Sequence, residues 1–103
     1  MTFPEDDMLT AFVCNCDEVA YRAIRQLRGM GYNVPEDISI VGYDNYLISE
    51  VSDPTITTIN VDADYMADLA VMTLMDRMEE PDGKPRIITI EGDLVIKDSV
   101  KRI

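Results

Sequence analysis

Residues 10–45 read TAFVCNCDEVAYRAIRQLRGMGYNVPEDISIVGYDN, and the order of patterns within this stretch decides the fold class. Thr10-Ala11-Phe12-Val13-Cys14 is a short apolar run with β-branched and aromatic members, as a buried strand requires. Asp17 follows, and apolar residues then recur at Ala20, Ala23, Ile24 and Leu27, the spacing of one face of a helix. Asp17 is a candidate N-cap, because a carboxylate there can accept the orphan amide protons of the first turn. Gly29 and Gly31 offer the left-handed residue that ends helices. Val34-Pro35-Glu36-Asp37 makes a turn, and Ile38 to Tyr43 forms a second strand that stops at Asp44 and Asn45. Strand, helix, strand in so short a span is a βαβ unit, with parallel strands and a right-handed crossover. Both strands then end on one edge, where open α/β sheets place their ligands.

Working outward, a polar stretch from Asn45 to Pro54 precedes the β-prone run Ile56-Thr57-Thr58-Ile59. Met66, Leu69, Ala70, Thr73, Leu74 and Met78 recur at helical spacing behind Asp62 and Asp64, which predicts a second helix with an apolar stripe. Glu79 to Pro85 is rich in breakers, and Ile87 to Ile90 and Leu94 to Ile96 read as two late strands. No internal repeat is visible.

The chain has 103 residues, enough for one core, and 47% of them are hydrophobic. Twenty acidic residues against nine basic ones give a net charge of −11, a field that repels a phosphate backbone. Direct nucleic-acid binding by this stretch is therefore not expected. No apolar run approaches the roughly 20 residues that span a bilayer, and residues 1–10 lack the pattern of a signal peptide, so no membrane partner and a cytoplasmic location are expected. Catalysis fares poorly as well. With no histidine, no Gly-rich phosphate loop and no G-x-S-x-G, only carboxylates, Lys, Tyr and thiols remain as catalytic groups.

Three stretches in order resemble the LacI/GalR family of transcriptional repressors: Ala11 to Ala20, Val34 to Asn45 with its VPEDIS turn and VGYD strand end, and Pro54 to Ile59. The resemblance covers nearly everything from Leu9 onward. It implies the C-terminal part of an effector-binding domain, with an α/β, partial periplasmic-binding-protein-like (flavodoxin-like) lobe, a parallel β-sheet and flanking helices. Residues 1–55 and 84–103 would belong to the second lobe, and 56–83 to a segment that the family places in the first. The resemblance further implies a small-molecule effector, a sugar or related metabolite, and no cofactor. It also implies a homodimer that uses the helix matching residues 17–30, and DNA contact only through an N-terminal head outside this stretch. A solute-binding protein of a sugar transporter is the alternative reading of the same architecture.

Four residues are candidates for the ligand site. In the family the aspartate matching Asp44 points into the cleft and accepts hydrogen bonds from the effector; an ionised carboxylate is acceptor-only, which suits a polyol. A solvated turn aspartate is the competing reading. Asn45 beside it is more often a turn residue. Cys16 stands where many members carry an effector-binding asparagine, and a thiol is a weak donor that behaves as a small hydrophobe, which puts the usual hexose contact in doubt. Asp17 completes that triplet, with the N-cap role as its rival. Cys14 and Cys16 form a C-x-C pair without histidine or a second pair, too few soft ligands for zinc. Arg22, Arg25 and Arg28 read as a solvated helix face.

Overall fold

The computed structural model describes residues 2–4 and 6–103. Contacts divide the chain into two compact units: one runs to Asn60 and resumes at Asp93, and the other is Val61–Gly92.

In the first unit, β1 (Ala11–Val13) pairs in parallel with β2 (Ser39–Val41), with Phe12 opposite Ile40. The crossover is α1 (Asp17–Gly29), so the βαβ unit is present with shorter strands than 11–14 and 38–43. Apolar residues spaced three and four apart put Ala20, Ala23, Ile24 and Leu27 on one face, where they are buried with Val34, Ile38, Ile40 and Ile56. Each fully buried Leu or Ile contributes about 1.5–3 kcal/mol. Phe3 stacks edge-on against Phe12, ring centroids 5.1 Å apart, and closes one side of this core.

The helix ends as its glycines predict, but only one of them acts. Gly31 takes the left-handed conformation at φ 92°, and the Tyr32 amide donates back to the Leu27 carbonyl at 3.0 Å. Gly29 lies inside the helix. At the other end the expectation for Asp17 needs correcting. Cys16 is the N-cap, without a side-chain capping bond, and Asp17 is the first helical residue with its side chain buried.

The polar stretch after β2 contains a short helix that the sequence did not announce, α2 (Leu47–Val51). Beyond it, β3 (Thr58–Asn60) pairs antiparallel with β4 (Asp93–Val95). Single parallel bridges, Val41 to Thr57 and Asp44 to Asn60, lay the start of this pair along the end of β2. Ser99, fully buried, completes the seam: its hydroxyl donates to the Ile40 carbonyl at 2.5 Å and accepts the Thr57 amide at 2.8 Å.

The second unit holds α3 (Ala63–Glu79), started by the Asp62 carboxylate accepting the Tyr65 amide at 3.0 Å. Two expectations fail here. No residue of α3 is buried, and Leu74 and Met78 of the expected stripe are exposed, because an irregular segment rather than a second layer faces the helix within the unit. Residues 87–90 are not a strand. Ile88 and Ile90 instead line, with Met66, Leu69 and Thr73, a small groove of about 230 Å³ against α3, and Ile87 is 96% exposed. Among the described residues, no helix is long and apolar enough to cross a membrane.

Candidate ligand site at the carboxyl edge of the parallel strands

The chain leaves β1 and β2 on the same side, and backbone bonds bind the two exits together. The Cys14 amide donates to the Val41 carbonyl at 2.8 Å, and the Asp17 amide to the Tyr43 carbonyl at 3.0 Å. The Asp17 carboxylate then locks the arrangement. One oxygen accepts the Tyr46 amide at 2.7 Å, the other the Thr58 hydroxyl at 2.6 Å, so one buried side chain ties α1 to the loop after β2 and to β3. Charge-assisted bonds of this kind offset the cost of burying a carboxylate. The packing leaves no room at Gly42: a Cβ there would stand 2.2 Å from an Asp17 carboxylate oxygen.

Asp44 and Asn45 follow in an unusual backbone state, with φ of 102° and 59°, a region that non-glycine residues enter at a cost. The neighbouring strand holds them there. Asp44 donates its amide to the Ile59 carbonyl at 3.0 Å, and Asn45 donates its amide to the Thr58 hydroxyl at 3.3 Å and its side-chain amide to Asn60 at 3.2 Å. Thr58 thus uses both capacities of its hydroxyl, donating to Asp17 and accepting from Asn45. The Asp44 side chain is half-buried, and its carboxylate makes no hydrogen bond or ion pair among the described residues.

The four sequence candidates are therefore brought to one edge but into different circumstances. Asp44 presents acceptor oxygens that have no partner among the described residues. Cys16 is half-buried at the helix start, Asn45 has its side chain engaged with Asn60, and Asp17 is fully enclosed, with both oxygens occupied. Both cysteines are free thiols, and burial, reinforced by the neighbouring Cys16, pushes the Cys14 thiol above its ordinary pKa. Among the described residues no group of three or more His, Cys, Asp or Glu side chains could hold a metal ion. On α1, Arg22 pairs with Glu18 at 2.8 Å, and Arg25 lies 5.9 Å from the Tyr21 ring. Thr58, Ser49, Asn60 and Lys97, which complete the edge, carried no local sequence signal, because Asp17, Asn45 and these partners are joined across up to 52 positions.

The match to known proteins has the same extent as this architecture. A family model described as periplasmic binding protein-like domain matches residues 3–100. The chain belongs to the periplasmic binding protein-like domain family. Within it, the resemblance is to LacI-type regulators. The chain is 38% identical over 99 residues to the HTH-type transcriptional repressor PurR of Mannheimia succiniciproducens, an alignment covering 96% of this chain and 29% of the relative. The solved transcriptional regulator CelR in complex with cellobiose superposes with a TM-score of 0.81 at 30% identity, over 88% of this chain and 28% of that one. A LacI-family regulator, CCPA of Weissella paramesenteroides with bound glucose, gives 0.75 at 32% identity, over 89% and 32%. This periplasmic-binding-protein-like domain thus spans about a third of its relatives' length.

Proposed function

We propose that the chain is the C-terminal part of the effector-sensing domain of a LacI-type transcriptional regulator, and that it binds a sugar or related hydroxylated metabolite through Asp44. The observation that carries this reading is the Asp44 carboxylate itself. It stands at the carboxyl edge of parallel strands, in a costly left-handed conformation, with no bond of its own among the described residues. Backbone strain held in place by neighbours at an edge of this kind belongs to binding sites. The likeness to regulators described with bound cellobiose and glucose supports the ligand class.

Cys16 lies at the same edge and contributes a small, weakly polar wall in place of an amide, which disfavours effectors that need a strong donor there. Asn45 and Asp17 shape the site from behind, through the loop and the helix start. A ligand alters the regulator only by unequal affinity for two arrangements of its lobes, residues 1–55 and 84–103 in one and 56–83 in the other. DNA contact, in this reading, belongs to a helix-turn-helix part outside this chain. The regulator acts as a cytoplasmic homodimer and not as an enzyme.

The test is calorimetric titration with a panel of cellobiose, D-glucose and D-ribose. Asp44→Ala should weaken the tightest of them by about 1–3 kcal/mol, the cost of leaving ligand hydroxyls unpaired, with the fold intact. Unchanged affinity would remove Asp44 from the site.

A further inference from the structure

The cation of Lys97 lies among neutral partners. Its ammonium donates to the Ser49 hydroxyl at 2.7 Å and to the Asn45 side-chain oxygen at 3.1 Å, and Ser49 is fully buried. The Asn45 oxygen also accepts weakly from the Ser49 hydroxyl at 3.4 Å, while the amide end of the same side chain is spent on Asn60. Both ends of the Asn45 carboxamide are thus fixed, one by β3 and one by the segment after β4. The residue so clamped sits at φ 59°, directly after Asp44 at φ 102°. Two successive left-handed non-glycine residues relax toward ordinary conformations unless their surroundings hold them.

We propose that Lys97 is the positioning residue for Asp44: acting through the Asn45 carboxamide, it keeps the 44–45 backbone in the conformation that presents the Asp44 carboxylate at the edge. The assignment rests on the reading of Asp44 as the ligand contact for its purpose, but not for its geometry. Its placement also gives it a second consequence. Asn60 is the last residue before the chain leaves this unit, and Lys97 follows the strand by which it returns, so the ligand edge is tied to both connections.

Amide hydrogen exchange on the ¹⁵N-labelled 103-residue chain, without ligand, tests the proposal, so that failure of sugar binding leaves the result readable. Lys97→Met keeps the stem and removes the donor. Exchange at the Asp44 and Asn45 amides should rise by about tenfold or more, the factor that loss of a charge-assisted bond implies, with core amides such as Ile40 unchanged. Lys97→Arg should restore protection. Unchanged exchange at 44 and 45, a uniform rise across the core, or failure of Arg to rescue would each overturn the assignment. If Lys97→Met does not melt cooperatively, Lys97→Gln, which keeps a polar side chain and removes the charge, takes its place with the same outcomes at Asp44 and Asn45.

Discussion

Gly42→Ala is the sharpest perturbation of the edge. The added methyl would stand 2.2 Å from an Asp17 carboxylate oxygen and 3.2 Å from the Asp17 Cα, so the side chain alone cannot step aside while the helix start stays in place. If the carboxylate moves, it gives up the Tyr46 amide at 2.7 Å and the Thr58 hydroxyl at 2.6 Å, worth about 1.5–3 kcal/mol each as bonds to a charged group. If it stays, the overpacked methyl costs about 1–3 kcal/mol, and the backbone clash adds to it. Either route destabilises the chain by about 3 kcal/mol. At roughly 4–8 °C per kcal/mol for a domain of this size, the melting temperature should fall by roughly 12–24 °C. Thermal melts followed by far-UV circular dichroism suffice. Gly29→Ala is the control, since nothing lies within 4 Å of a Cβ there and the position is helical; it should gain up to about 1 kcal/mol. A fall under about 4 °C for Gly42→Ala would refute the account of Asp17 as the lock of this edge.

Three further outcomes follow from the same geometry. Asp44→Gly relieves the φ of 102° and should raise stability by about 1 kcal/mol while abolishing the proposed ligand contact; urea melts showing a loss of that size instead would mean the side chain supports the fold. Ser99→Ala leaves the buried Thr57 amide without its acceptor and should cost about 1–3 kcal/mol, read as a lower denaturation midpoint at constant slope. Because burial and the neighbouring Cys16 raise the Cys14 pKa, a smaller share of Cys14 is thiolate at a given pH than in an unperturbed cysteine. Iodoacetamide should therefore modify Cys14 more slowly than free cysteine at pH 8, as peptide mass spectrometry measures, and equal rates would contradict the burial.

The parallel pair and its crossover helix were legible because each is written locally: Ala20, Ala23, Ile24 and Leu27 share one face, and Gly31 ends the helix where a left-handed residue is needed. The elements that failed depend on partners the local pattern does not name. Ile87 to Ile90 has strand composition, yet within its unit it meets a helix and pairs with no strand. The Met66 to Met78 stripe has helical period and forms its helix, but period alone does not supply a surface to bury it. At the candidate site, the position of Asp44 at a strand end was legible through its motif, whereas the enclosure of Asp17 was not. Its rival role as N-cap is a local inference, and Thr58, 41 residues away, is the partner that decides otherwise. Lys97 was invisible for the same reason, its acceptors lying 48 and 52 positions earlier.

Whether this edge receives an effector is answered most directly by mapping chemical shifts on the ¹⁵N-labelled chain as cellobiose, D-glucose and D-ribose are raised to about tens of millimolar, where even a site with a Kd of about 1 mM fills. Saturable shifts centred on Cys16, Asp44 and Asn45, and lost in Asp44→Ala, are the predicted result. Saturable shifts centred elsewhere, on the Arg22 and Arg25 face of α1 or the Leu69 and Ile88 groove, or no saturable shift with any of the three sugars, would contradict it.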